Sequence, residues 1–416
     1  MTRIAVIGAG AAGCFCAAQL GRRLPEAEVV VLEGARKPLS KVAVTGGGRC
    51  NFTNTFDTIG RLEEAYPRGA RLMKRALGRF SQADARGWFE AEGVPSVVMD
   101  DGCVFPQSQD AMDIVRALER AMRLSGVQVR CAHKVTSVED LGGRFSISLA
   151  DGSALEADKV VVTTGGSPSP AGLSMLAPLG LDTVPPVPSL FTFNIGNDSL
   201  KSLMGTVVQD ALIGLAGTGL RAGGALLLTD WGVSGPAVLK LSSYAARHLA
   251  ESGYTGTLNI SWLGTPKDSE CLEVVQGLMH SEPRKMVVSA GPAALPGRLW
   301  RHIAARALLR EDLRWAELGP RGAARLAAAL ACDAYPITGR CRFKDEFVTC
   351  GGVALSEISL NTLESKKHPG LHLAGEVLDV DAITGGFNLQ AAWSMAYTVA
   401  GAICDSCGDG GACGSC

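Results

Sequence analysis

The sequence predicts an α/β protein: a dinucleotide-binding domain in two sequence-distant parts, with an antiparallel β-barrel-like and helical domain inserted between them. Three observations predict it. The apolar run Ile4-Ala5-Val6-Ile7 passes at once into Gly8-Ala9-Gly10-Ala11-Ala12-Gly13, a helical stretch, and a second run, Val29-Val30-Val31-Leu32, ending in Glu33. Six prolines punctuate 168–188, and short strand-like runs separated by turns follow them. Late in the chain, Leu371-His372-Leu373-Ala374 leads into Gly375-Glu376, then Thr384-Gly385-Gly386 and a helical segment.

The first stretch reads as strand, glycine turn, helix, strand, acid, the Rossmann-like order. Gly8 permits the tight turn, Gly10 lets backbone approach a pyrophosphate, and Gly13 lets the helix pack on the strand. Ala11 and Ala12 open the helix, whose N-terminal N–H groups favour an anion. Glu33 is placed to accept hydrogen bonds from ribose hydroxyls. A leader peptide or membrane segment is the rival reading of this apolar N-terminus. The glycine spacing and the second strand after Pro25 argue against it.

Thr45-Gly46-Gly47-Gly48-Arg49-Cys50-Asn51-Phe52-Thr53-Asn54 reads as a second loop able to converge N–H groups on an anion. Gly47, Gly48, Arg49 and Asn51 are its candidate ligand-binding residues; a plain flexible loop is the alternative. Residues 55–95 read as helical and hold the most basic stretch, around Arg68, Arg71, Lys74, Arg75 and Arg79. That stretch is either a solvated helix face or a surface for a phosphate-bearing partner. Lys159-Val160-Val161-Val162 reads as a buried strand whose exit, with Thr164 and Gly165, lets the sheet edge approach a cofactor.

Residues 189–260 read as short antiparallel strands and 268–335 as mainly helical. The late strand and its glycines form a second strand–glycine–helix device, contributing Gly375, Glu376, Asp379, Gly385, Gly386, Asn388 and Leu389 as candidate cofactor residues. A simple NAD dehydrogenase does not need this device; an FAD stretched across the domain does. It is therefore the late device that favours FAD. Asn388 and Gln390 are placed either to hydrogen-bond the flavin edge or to cap and pack. The expected organisation is an FAD-binding domain at 1–188, the inserted β plus helical domain at 189–336, the second FAD-binding part at 337–405, and a Cys/Gly-rich tail at 406–416.

Several motifs resemble the BaiN/YhiN-like bacterial FAD-dependent oxidoreductases. They are Gly46 to Asn54, Asp101-Gly-Cys-Val-Phe-Pro106, Thr229 to Pro236, Thr362-Leu-Glu-Ser-Lys366, Gly375 to Asp381 and Thr384 to Gln390. The matches run from the first strand to the last helix. The resemblance implies FAD, and reduction of an activated C=C bond as one reaction. It also implies a second reaction of the same kind, reduction of uridine in ribosomal RNA. Val135 opens a segment similar to one that contacts adenine through its backbone in related flavoproteins. The family pattern has His where Asp230 stands, which argues against a His-based role there; Asp230 reads as a turn residue.

The remaining features are weaker. Cys50 has no CxxC partner and reads as a buried small residue. His368 and His372 are too isolated for catalysis. The CxxC pairs Cys404/Cys407 and Cys413/Cys416 are separated by a short spacer, unlike the usual zinc arrangement, so a disordered tail without metal is expected, with a metal site or a redox dithiol as the alternatives. The catalytic acid has no sequence signature. A net charge of -1 gives no global sign of nucleic-acid binding, and 47% hydrophobic residues supply an ample core. Thirteen scattered cysteines without a disulfide framework point to reduced thiols and a cytoplasmic setting without a membrane. The expectation is an FAD-dependent oxidoreductase taking hydride from NAD(P)H, with a small-molecule substrate meeting the flavin between the domains. The alternatives are an RNA uridine reductase, which the basic stretch favours, and a non-catalytic flavin holder.

Overall fold

The computed structural model describes residues 1–167, 169–196, 198–341 and 348–408. The chain divides into two compact units: Met1–Val187 together with Val348–Cys416, and Pro188–Phe347.

The first unit is built on a five-stranded parallel sheet. Strands β1 (Arg3–Ile7), β2 (Glu28–Leu32), β3 (Gln128–Arg130), β4 (Lys159–Val162) and β5 (Leu371–Leu373) lie in the order β5-β4-β1-β2-β3. Ile4, Ala5, Val6, Val30, Val31 and Val160 to Val162 are fully buried. Such unbroken β-branched runs belong to strands covered on both faces. Helix α1 (Ala11–Arg23) joins β1 to β2 and buries small residues, Cys14, Cys16, Ala17 and Ala18, which allow close packing.

Its neighbour is the last helix, α4 (Phe387–Gly408). The Phe15 ring lies 5.5 Å from Trp393, and the Arg23 guanidinium sits 4.3 Å from the centre of the Tyr397 ring. The earlier residues of each helix meet each other, as do the later ones. The two helices therefore run in the same direction, with both N-termini at one end. Burial of Phe15, Phe52, Phe89 and Trp393 in one aromatic cluster fixes this pairing.

In the second unit, six strands close an antiparallel barrel: Phe193–Ile195, Gly232–Ser234, Arg221–Leu228, Val207–Leu215, Gly256–Ser261 and Asp333–Arg340. Inward positions carry Val208, Ile213, Leu226, Leu228, Leu258 and Ile260. Helices Gly297–Arg306 and Gly319–Ala331 add Leu299, Trp300, Ile303, Leu326 and Leu330 to the same core. Buried Asp333 accepts hydrogen bonds from Trp262 Nε1 (3.0 Å), the Tyr335 hydroxyl (2.6 Å) and Arg306 Nε (2.5 Å), tying helix 297–306 to the barrel.

The structure departs from the sequence expectations in four places. Residues 333–340 are a strand, so the return to the first unit comes at 348, not at 337. The reason is local: Asp333, Tyr335 and Ile337 alternate inward with period two, and pair with Gly256–Ser261. Residues 45–48, expected as the start of a loop, end helix α2 (Ser40–Gly48), interrupted where Thr45 is extended and Gly46 and Gly47 are left-handed. The basic stretch is three short helices, Leu62–Ala65, α3 (Ala70–Leu77) and Gln82–Ala91. Helix α4 runs past the tail boundary expected at 405/406 to Gly408 and so carries Cys407 as well as Cys404, while Cys413 and Cys416 lie outside the described residues. Among the described residues no helix is long and apolar enough to cross a membrane, and no group of three or more His, Cys, Asp or Glu side chains could hold a metal ion.

Candidate dinucleotide site

The candidate site lies at the carboxyl ends of the parallel strands, where open α/β sheets bind ligands. Gly8 follows β1 with φ +102°, and a Cβ there would stand 2.6 Å from the Thr163 carbonyl oxygen. Gly13 is tighter: a Cβ would stand 1.9 Å from the Gly8 carbonyl oxygen. Thr163 braces this turn, its hydroxyl donating to the carbonyls of Ile7 (3.0 Å) and Gly8 (2.9 Å). Gly10 differs, since a Cβ there meets nothing within 4 Å. Open space thus lies in front of Gly10 and the first turn of α1, with Ala11 and Ala12, where helix N–H groups lack intrahelical partners.

Glu33 closes the adjacent side. Its two carboxylate oxygens accept from the N–H groups of Ala9 and Ala35, each at 2.7 Å. Each oxygen keeps lone-pair capacity for a ribose hydroxyl. The chain following β3 runs beside it: the N–H of Ala132 donates to the Ala35 carbonyl, and that of His133 to the Glu33 carbonyl, both at 2.8 Å. Val135, two residues on, opens strand Val135–Asp140 and is almost buried.

The late device reaches the same edge. Gly375 follows β5 with φ +83°, and a Cβ there would stand 3.3 Å from the Ala12 Cβ. Glu376 accepts from the N–H of Thr349 (2.9 Å) and of Gly166 (3.4 Å), next to Thr164 and Gly165 beyond β4. Burial pushes its carboxyl above the usual carboxylate range, against those backbone donors. Asp379 is half-buried on the same return segment, its N–H donating to the Val353 carbonyl.

The second glycine loop meets the last turn. Gly386, φ +88°, would place a Cβ 2.3 Å from the Thr53 carbonyl oxygen and 2.6 Å from Asn51 Oδ1. Asn54 Nδ2 donates to the Gly385 carbonyl (3.0 Å), Trp393 Nε1 to the Phe52 carbonyl (2.9 Å) and the Thr53 hydroxyl to Gln390 Oε1 (2.6 Å). Gly47 and Gly48 are left-handed with open space around them, beside exposed Arg49, whose guanidinium lies 4.8 Å from the centre of the Phe105 ring.

Asn388 and Gln390 take the second of the two roles expected for them, capping and packing. Asn388 accepts from the N–H of Ala382 (2.9 Å) and donates to the carbonyls of Ala382 and Ile383, holding the preceding loop. Gln390 is fully buried, spending its amide on Thr53, Phe80 and Ser394. Both therefore shape the α4 N-terminus, with half-buried Leu389 between them, rather than reaching a ring edge. Cys50 is buried at φ +58°, and burial pushes its thiol up to about 12, so no reactive thiolate forms there. Asp230 lies in a tight turn closed between Thr229 and Gly232. Thr163 and Asn54 matter more than their sequence context suggests; their partners are remote in the chain.

These residues fit a long dinucleotide better than a short one. One glycine turn meets the late strand's glycine at Ala12–Gly375, and the second glycine loop meets the late helix at Asn51–Gly386. Two parallel helix N-termini serve one edge, enough for both a pyrophosphate and an electron-rich ring.

The chain matches the family described as "HI0933-like protein Rossmann domain" over residues 2–402. It is 31% identical over 407 residues to the "Ribosomal RNA dihydrouridine synthase" of Escherichia coli (strain K12), covering 95% of this chain and 96% of that protein. It is 27% identical over 408 residues to the "3-dehydro-bile acid delta(4,6)-reductase" of Clostridium scindens, covering 95% of this chain and 98% of that protein. Its fold is similar to the crystal structure of 3-ketosteroid delta1-dehydrogenase from Sterolibacterium denitrificans, with TM-score 0.50 and 12% identity, covering 98% of this chain and 100% of that one.

Proposed function

The chain belongs to the HI0933-like Rossmann family, and from that membership we propose that this FAD-dependent oxidoreductase passes a hydride from NADH or NADPH through its flavin to an activated C=C bond. What carries the reading is the pair of co-directional helices, α1 and α4, with the Gly10 and Gly386 turns at one sheet edge. When bound, FAD supplies the hydride chemistry itself. The protein's part is positional. The α1 N-terminus and the Gly8–Gly13 turn hold the pyrophosphate, and Glu33 takes the ribose hydroxyls. The segment from Val135 borders the adenine. The N-terminus of α4, shaped by Asn388 and Gln390, would face the ring with its partial positive charge and so favour negative charge there. Gly47, Gly48, Arg49 and Asn51 border the space next to that helix start.

For the substrate, two readings of the same chemistry stand side by side. One is a small conjugated molecule, in keeping with the relative named as a bile acid reductase. The other is a uridine of ribosomal RNA, favoured by the 31% identity to the relative named for that reaction and by unpaired cations on α3.

The test follows the flavin. Purified protein should be yellow and release FAD on denaturation, and anaerobic NADH or NADPH should bleach it. Reoxidation is then followed with a conjugated enone and with a short uridine-containing RNA, the product gaining two hydrogens by mass. Protein that stays colourless with added FAD sinks the enzyme reading. A bound flavin inert to both nicotinamides removes the donor, and inertness to every acceptor as well leaves a flavin holder.

A further inference from the structure

A cavity of about 510 Å³ opens within the first unit between α3 and the segment 355–366. Leu72, Leu355, Ile358 and Leu360 supply its apolar wall, and Arg71, Arg75 and Lys366 stand around it. Arg71 and Arg75 are one helical turn apart, so both face the same side. The three cations are exposed, and among the described residues none has a carboxylate partner. Arg75 donates to the neutral Asn361 Oδ1 (2.6 Å), and Lys366 Nζ to the Ser356 carbonyl (2.7 Å). These contacts orient the side chains without cancelling their charge. The neighbouring cations behave otherwise: Arg68 pairs with buried Asp381, and Lys367 with Glu357. Arg68 and Lys367 are thus neutralised, while the cations around the cavity, like exposed Lys74 and Arg79 of the same stretch, keep open charge among the described residues.

Like charges held together in solvent repel, and that favours an anion between them. The apolar wall favours a ligand that carries a flat apolar body next to that anion. A nucleotide combines the two, with a phosphate for the cations and a base for the wall. The cavity also lies close to the flavin-side helix. Gly69, just before α3, packs on Val380, and Arg68 pairs with Asp381, on the segment that leads into Gly385 and Gly386.

We propose that Arg71, Arg75 and Lys366 form a backbone-phosphate site for a single-stranded RNA substrate, with one base resting against half-buried Leu355 and Leu360, which cover buried Leu72 and Ile358. The proposal rests on the RNA reading above.

The test compares RNA binding by the holoprotein and by the triple variant R71A/R75A/K366A. The probe is a labelled, uridine-containing single-stranded RNA, titrated across salt concentrations. Losing three phosphate contacts should lower the log–log salt slope by about 2, at ~0.7 per phosphate, and weaken binding roughly tenfold or more at low salt. A control pair, R321A/R325A, removes exposed cations of helix 319–331 and should change neither. Bound flavin absorbance and thermal midpoint report on folding, and R71K/R75K, which keeps the charge, should keep the slope. RNA bound equally well by wild type and the alanine variant overturns the site while leaving the RNA reading intact. A lysine variant that loses as much as the alanine variant also overturns it, since charge would then not be what binds. Wild-type protein that ignores RNA even at low salt removes the RNA reading, and the site with it.

Discussion

Gly10 and Gly13 are three residues apart, and the structure predicts opposite phenotypes for adding one methyl group to each. At Gly10 a Cβ meets nothing within 4 Å, and the backbone, φ -84° and ψ -166°, is one alanine adopts freely. Alanine is a weaker N-cap than glycine, costing a few tenths to about 1 kcal/mol. A less flexible unfolded chain returns about 0.4–1 kcal/mol. G10A should therefore fold with apoprotein stability within about 1 kcal/mol of wild type. The methyl group nonetheless occupies the space in front of the α1 N-terminus. Displacing a pyrophosphate from one or two backbone N–H groups removes charge-assisted hydrogen bonds of about 1.5–3 kcal/mol each. A loss of roughly 2–4 kcal/mol corresponds to about 30- to 700-fold weaker FAD binding.

At Gly13 the same methyl would stand 1.9 Å from the Gly8 carbonyl oxygen and 2.6 Å from the Thr163 hydroxyl. Backbone cannot yield as a side-chain tip does, so α1 must move off β1, at about 1–3 kcal/mol or more. G13A should lose apoprotein stability and FAD binding together. The assay is urea unfolding of each apoprotein, plus FAD titration followed by flavin fluorescence. Wild-type FAD affinity in a well-folded G10A would refute the placement of the pyrophosphate. Equal destabilisation of both apoproteins would refute the packing argument.

Further outcomes follow from groups away from that turn. R68M leaves the carboxylate of Asp381 buried without its bidentate partner, a loss of about 3–5 kcal/mol that urea midpoints will register. D333A leaves the buried Trp262 N–H without its acceptor and takes one partner from the Tyr335 hydroxyl and from exposed Arg306, a loss of about 1–3 kcal/mol, whereas FAD affinity should hold near wild type. Burial lowers the pKa of His372 below the ordinary histidine range. The unfolded chain then takes up a proton that the folded one refuses, so stability is full above the ordinary histidine pKa. It declines as pH falls, by up to about 1.4 kcal/mol per pH unit. Acid titrations of unfolding in H372Q should lack that slope, and an unchanged slope would assign it to other groups. G386A should cut FAD binding and apoprotein stability together, because its Cβ would collide with the Thr53 carbonyl oxygen.

The parts of this protein that local chemistry controls were legible from the chain alone. The β-branched runs at 4–7, 29–32 and 159–162 became parallel strands, and the glycines after the first marked a turn in which Gly8 and Gly13 are sterically required. The late glycines pointed to a second binding element because Gly375 and Gly386 adopt conformations that side chains avoid. Local signals were ambiguous at residues 45–48, where the glycines read as loop but end a helix that buried Val42 holds. Residues 333–340 were ambiguous too, since the alternation that makes them a strand is short and follows a helix.

Tertiary structure alone decided what each polar group is for. Gln390 and Asn388 could serve a ring edge or cap and pack on sequence grounds, and the bonds they make to Thr53, Phe80 and the Ala382 loop favour the second. Arg68 and Arg71 belong to one basic run, yet the first is spent on Asp381 and the second stands open at a cavity. A residue's neighbours along the chain set its backbone conformation. The partner of its charge or amide comes from wherever folding brings the chain back, and no local pattern records that.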